Sequence, residues 1–356
     1  MIIFRYLSKE VFITLMSLTA ILLLIFMSNQ FVHYLNRAAN GQIPAMFIVK
    51  LMMLELPNLM VLLLPLGFYI SMILAYGRLY AENEMIVLYA CGYGPNKLLG
   101  QSLLMAIVVM LVVAGVSLWA GPFIAVERAK LIRTTGVQTL IQTVMPKRFN
   151  AVSGGSRVFY IQSMNRQHTK AEKVFFAQHK QNEEQNPWDI LWAEKAYVET
   201  DPVTYESYAV LQNGHDYQGA PGGADFQVAD FSELKVRLPH PTIAIKNDLR
   251  TLPMTDLWDS SERGKSAELQ WRLSIPLMVI VLTFIAVPLS RINPRSGKFS
   301  KLLPAILIYI TYANFMFVAR NWVTSGKVPV WLGMWWLHLA FAAVGIVLIW
   351  RERKKL

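Results

Sequence analysis

The sequence predicts an α-helical membrane protein with six transmembrane helices and an all-β domain inserted between helices 3 and 4. Three observations carry that expectation. Six uncharged apolar runs of 18 to 25 residues lie three before residue 127 and three after residue 272. The stretch between them changes to short apolar or alternating segments punctuated by Gly154-Gly155, Asn213-Gly214 and Pro221-Gly222-Gly223. Lys and Arg gather at the ends of the apolar runs, and mostly at one set of ends.

Composition agrees. Hydrophobic residues make up 54% of the 356 and charged residues 16%, against roughly 25% charged in a soluble domain. Mean hydropathy is +0.36. This excludes disorder, which needs low hydrophobicity, and argues against a purely soluble globule. A formal net charge of +11 on an apolar chain points to anionic headgroups. Nucleic acid, the other usual partner of a basic chain, is set aside, because the cations flank apolar runs and form no stripe of their own. Cys91 is the only cysteine, so no internal disulfide and no cysteine-built zinc site can form.

The spans follow in order. Val11–Val32, Pro57–Gly77 and Ser102–Val126 hold no charge over 22, 21 and 25 residues; Leu273–Ser290, Leu302–Ala319 and Trp331–Trp350 hold none over 18, 18 and 20. About 20 apolar residues cross a hydrocarbon core of about 30 Å. The first run is too long for a cleaved signal peptide and reads as a signal anchor behind Arg5 and Lys9. The apolar pattern of the second starts near Pro44, which predicts an interfacial helix over Pro44–Glu55, a kink at Pro57 and then the span. With the N-terminus inside, segments 1–10, 78–101, 291–301 and 351–356 hold twelve Lys/Arg, and the two short outer loops hold four, Arg37, Lys50, Arg320 and Lys327. That excess places both termini in the cytoplasm and the insert outside. Three parts result: 1–126 with the first three spans, 127–265 as an antiparallel sandwich or barrel, and 266–356 with the last three.

Reactive chemistry is not legible. No two of the six histidines fall at i, i+3 or i, i+4, and there is no H-E-x-x-H or G-x-S-x-G. Gly264-Lys265-Ser266 resembles the end of a phosphate loop, but Asp259 stands where its first glycine belongs. No cofactor is called for, and driven work would need an ATPase on another chain.

Two groups of residues could carry function. Ala81–Cys91 between spans 2 and 3 has good helix formers and no proline, with Gly92, Gly94 and Pro95 as its stop. Glu82 and Glu84 fall in its first turn, where the helix dipole favours acids. Met85, Leu88 and Tyr89 share an apolar face. The segment is either a surface helix resting on the membrane or a coupling helix docking in a groove of a cytoplasmic partner. Arg37, Glu55 and Arg320 lie at outer ends of spans, with His33 four residues before Arg37. They are either interfacial anchors or contacts for anionic groups on an outer-leaflet lipid. Glu268 and Arg272 sit at i, i+4 and are expected to pair. Arg291–Lys301 carries four cations, a topology determinant and anionic-lipid contact. An envelope-signalling permease, against which six spans count, and a membrane enzyme on a lipid-linked substrate, which needs an acid–base cluster, are the other readings.

Several strings in this order resemble one family. They are Met1-Ile-Ile-x-Arg-Tyr-Leu7, Gly77-Arg-Leu-Tyr-x-Glu-x-Glu84 running to Ala90-Cys-Gly92, Trp119-Ala-Gly-Pro122, Ala267-Glu-Leu-x-Trp-Arg272 and Pro288-Leu-Ser-x-x-Asn-Pro-Arg295. Together they look like the LptF/LptG permeases of the Gram-negative lipopolysaccharide export machine. That resemblance implies a non-catalytic subunit of an ABC transporter in the inner membrane, with a periplasmic jellyroll between spans 3 and 4. It implies a paralogous LptG-like subunit, an LptB-like ATPase dimer below, an LptC-like single-span periplasmic protein at the side, and lipopolysaccharide as cargo. Glu84 matches the family's acidic coupling position, with Glu82, Met85, Leu88 and Tyr89 beside it. His33, Arg37, Glu55 and Arg320 become candidate lipid contacts.

Overall fold

A computed structural model describes residues 2–39, 45–131, 147–152, 157–165, 170–179, 188–200, 207–219, 226–237, 249–258, 262–292 and 299–354. The chain divides into two compact units. One comprises Met1–Phe31, Lys50–Glu127 and Ile245–Leu356; the other comprises Val32–Val49 and Arg128–Ala244.

Six helices are long and apolar enough to cross a membrane, one for each uncharged run. The first, α1 (Ile2–Ala39), contains neither glycine nor proline. It buries one stripe, Leu7, Val11, Leu15 and Thr19, at four-residue spacing, and turns Met16, Ile21, Leu24 and Ile25 outward. That is the pattern of a helix facing lipid on most sides. A 3-10 turn (Ala45–Phe47) leads into α2 (Ile48–Ala81), which is continuous through Pro57 and Pro65. The expected interfacial helix ending at Pro57 is therefore not a separate element. Proline removes one backbone bond, and neighbouring helices in a bundle tolerate that loss. At 1.5 Å per residue the 34-residue helix is about 51 Å long, longer than the hydrocarbon core. Its second half is mostly buried, with Phe68, Tyr69, Met72, Tyr76 and Leu79 at most 1% exposed.

A two-residue turn separates α2 from α3 (Glu84–Ala90). The helix α4 (Pro95–Leu131) follows and includes a π stretch at Gly115–Ala120. Beyond the β strands, a short α5 (Met254–Trp258) precedes α6 (Arg263–Leu289), which is buried along most of its length. The last two are α7 (Leu302–Ser325) and α8 (Trp335–Arg353). In lipid the tails are as apolar as leucine, so packing and polar contacts rather than water exclusion hold such a bundle. Gly67 shows the tightness: a Cβ there would lie 2.7 Å from Thr19 Oγ1 and 3.2 Å from Leu15 Cδ1. Its absence lets α1 and α2 meet.

The inserted unit carries six strands, β1 (Phe149–Val152), β2 (Arg157–Met164), β3 (Lys170–His179), β4 (Trp188–Thr200), β5 (Ser207–Gly219) and β6 (Phe226–Arg237). They pair antiparallel in chain order as one sheet, with β1 and β6 at its edges. The all-β expectation holds, in the form of a single meander among the described residues. The sheet has a corner. The row Gln162, Lys173, Glu194, Asn213 and Ser232 drops out of the ladder while the register on either side stays constant. Lys173 and Asn213 there have φ of 50° and 52°. Core residues on either side are three apart instead of two: Ala171 and Val174, Ala193 and Ala196, Leu211 and Gly214, Phe231 and Leu234. The corner thus turns both halves of the sheet to one shared apolar cluster. On the opposite face, Phe149, Tyr160, Phe175, Trp192 and His215 form a directly paired cross-strand row. Such pairs each add about 0.2–1 kcal/mol.

Candidate coupling and lipid sites

The turn after α2 is set by Asn83, whose φ of 63° is a left-handed conformation that asparagine adopts more readily than most residues. It ends α2 at Ala81, and α3 starts at Glu84. Glu84 is therefore in the first turn of α3, as expected, whereas Glu82 lies in the preceding turn and is exposed. Glu84 Oε2 accepts a hydrogen bond of 2.6 Å from the Tyr6 hydroxyl of α1.

The face Met85, Leu88 and Tyr89 packs inward. Met85 is fully buried, and Leu88 and Tyr89 rest against the same core as the helices. The Tyr80 and Tyr89 hydroxyls are 2.6 Å apart. Burial raises the Tyr89 and Tyr93 hydroxyls above the ordinary tyrosine value. The outward face of α3 carries Ile86 and Val87, 52% and 60% exposed, next to the exposed Glu82 and Asn83. Exposed neighbouring aliphatics beside an acid suit a protein partner better than water. A cleft beside α3, lined by Tyr80, Tyr89, Asn96, Arg291 and Glu352, adds charges of both signs.

The outer-end charges fall into different settings. His33 and Arg37 are exposed near the end of α1, and Arg37 stands in its last turn, where the helix dipole favours a cation. Between them Tyr34 is 3% exposed, and its hydroxyl accepts a 3.1 Å hydrogen bond from Arg128 Nη2. Glu55 is buried within α2. Arg320 donates to Glu268 Oε2 at 2.5 Å and lies 5.0 Å from the centroid of the Trp271 ring.

Glu268 is shared. Its Oε1 accepts from Arg272 Nε at 3.0 Å, the pair expected from helical spacing. Arg272 also reaches the carbonyls of Leu252 at 2.9 Å, Leu249 at 3.0 Å and Arg250 at 2.9 Å. Its own carbonyl accepts from Ser117 Oγ of the π stretch in α4 at 3.2 Å. The planar guanidinium fork serves several acceptors at once. It fixes the segment that enters the bundle ahead of α5. Neither this cage nor Arg128 was legible from spacing, since their partners are remote in sequence. Among the described residues, no three His, Cys, Asp or Glu side chains converge as a metal site.

Comparison with known proteins gives one consistent result. The family model "Lipopolysaccharide export system permease LptF/LptG" matches residues 5–351. The lipopolysaccharide export system permease protein LptF of Escherichia coli K12 is 29% identical over 349 residues, 98% of this chain and 94% of that protein. The LptF proteins of Escherichia coli O157:H7 and Shigella flexneri match with the same identity and coverage. With a single family model running along nearly its entire length, this chain belongs to the LptF/LptG family of lipopolysaccharide export permeases.

Proposed function

We propose that the chain is the non-catalytic transmembrane subunit of an ABC transporter. It draws lipopolysaccharide or lipooligosaccharide from the outer leaflet of the inner membrane and passes it to a periplasmic bridge. ATP hydrolysis in a partner ATPase drives the step. The observation that carries this reading is the two-sided α3. One face is built into the helical core, and the other offers Ile86 and Val87 beside Glu82. A short helix so mounted moves the bundle when a partner moves it.

The remaining parts fit the task. The apolar outward faces of the helices suit a lipid with several acyl chains, and the apolar cluster inside the sheet corner suits onward passage. Arg37 supplies a cation for a lipid phosphate, with His33 on the same side of α1. Glu55 and Arg320 are further candidate lipid contacts, Arg320 held by its pairing with Glu268. An LptG-like paralogue completes the cavity, an LptB-like ATPase dimer docks on α3, and an LptC-like single-span protein receives the cargo. Both termini face the cytoplasm and the sheet domain faces the periplasm.

Affinity purification in mild detergent tests the reading. The expected result is recovery of a paralogous permease, an ATPase and a phosphorylated glycolipid. A chain that moves lipid in vesicles with no nucleotide-hydrolysing companion would overturn it.

A further inference from the structure

Three polar contacts tie the first turns of α1 to the coupling segment. The Tyr6 hydroxyl donates to Glu84 Oε2 at 2.6 Å. Arg78 Nη2 donates to Glu10 Oε2 at 2.6 Å. Gln101 Nε2 donates to the Phe4 carbonyl at 3.0 Å, and the Tyr93 hydroxyl holds Gln101 Oε1. Arg78 belongs to the end of α2, Glu84 to the start of α3 and Gln101 to α4. Every helix of the coupling segment thus grips α1.

Beyond that grip α1 buries the stripe Leu7, Val11, Leu15 and Thr19, with Phe12 and Leu18 packed beside it, and near its far end Tyr34 accepts from Arg128. It is also built to be stiff. Of the six spans only α1 lacks both glycine and proline: α2 has Pro57 and Pro65, α4 its π stretch, α6 Pro276 and Pro288, α7 Pro304 and α8 Gly345. Proline, glycine and π stretches are where helices bend. A 38-residue helix without them is a rod of about 57 Å.

We infer that Tyr6 is a positioning residue for transport: its hydrogen bond to Glu84 makes α1 a lever that carries the displacement of α3 to the far end of the same helix, where His33 and Arg37 lie. This rests on the reading that a partner ATPase moves α3. A carboxylate has two oxygens. Glu84 can hold Tyr6 through one and receive a cation from outside through the other.

The test uses the complex with its ATPase in lipid nanodiscs, in a Cys91→Ser background. Spin labels replace the exposed Leu24 of α1 and Leu339 of α8, and their distance is measured without nucleotide and after vanadate trapping. The expected result is a shift of about 1–2 Å or more in the parent. Tyr6→Phe, which removes only the hydroxyl, cuts that shift to less than half. Arg78→Gln, which breaks the second contact, also reduces it. A full shift in Tyr6→Phe overturns the inference, and so does no shift in a parent complex that still hydrolyses ATP and moves lipid. If the parent neither holds an ATPase nor moves lipid, the transport reading falls and the inference falls with it.

Discussion

Arg320 of α7 and Glu268 of α6 are 2.5 Å apart at their closest atoms, although 52 residues separate them in the chain. Glu268 is 3% exposed and also holds Arg272, itself 4% exposed. One carboxylate therefore neutralises a buried guanidinium and anchors a second. Removing one partner of a buried ion pair typically costs about 3–5 kcal/mol, because the charge left behind has no compensation. Glu268→Ala is expected to destabilise the protein on that scale. Thermal unfolding in detergent would show a clear fall in Tm, and an unchanged Tm would mean that Arg272 and its carbonyl cage need no counter-charge.

The two faces of α3 predict opposite phenotypes. Val87→Asp places a charge on the exposed face and should reduce recovery of the ATPase while leaving thermal stability within about 0.5 kcal/mol of the parent. Met85→Ala empties a fully buried site and should cost about 2–5 kcal/mol. Pull-down and unfolding on the same samples separate the two. Loss of stability in Val87→Asp with full ATPase recovery would place the docking surface elsewhere.

How much of this was legible in the sequence depended on which residues a side chain meets. The six spans were legible because lipid tolerates almost no charge, and 18 to 25 uncharged residues have few other uses. Glu268 and Arg272 were legible because four residues is one helical turn. Arg320 as their third member was not, since no spacing rule links it to Glu268. Met85, Leu88 and Tyr89 were legible as an apolar stripe, but a stripe does not say whether it meets its own core or a partner; here it meets the core. The helix boundary at Glu84 depended on the backbone of Asn83, not on propensity. The sheet corner was hidden for a similar reason. A regular strand alternates with period two, whereas each strand crossing the corner sets two adjacent residues, such as Glu194 and Lys195, between core positions.

That corner makes Gly214 a sensitive position. A Cβ there would lie 2.2 Å from the Trp192 carbonyl oxygen and 2.5 Å from the Phe231 ring. Gly214→Ala must push backbone apart or displace the ring. Overpacking of this kind costs about 1–3 kcal/mol. Limited proteolysis of the intact protein should cut the inserted unit faster in the variant. Equal cleavage rates would show that the sheet relaxes around the methyl group at no cost.

Arg37 is the cleaner test of lipid contact. Arg320→Glu would set two carboxylates against each other at Glu268, so any loss of lipid would be mixed with loss of fold. Arg37 is exposed in the last turn of α1. Arg37→Glu should reduce photocrosslinking to lipopolysaccharide several-fold, on the order of the tenfold that 1.4 kcal/mol represents, with Tm close to the parent. Crosslinking at the parent's yield would make Arg37 an interfacial anchor alone.

Cys91 reports orientation without any added label site. It is the only cysteine and is exposed just after α3, on the side where Arg78, Lys97 and the later cationic segments gather. If those segments face the cytoplasm, a membrane-impermeant maleimide should not react in intact spheroplasts and should react once the membrane is opened. A Cys91→Ser control fixes the background. Labelling of intact spheroplasts would put α3 outside, beyond reach of any cytoplasmic ATPase, and would overturn the topology read from the Lys and Arg counts.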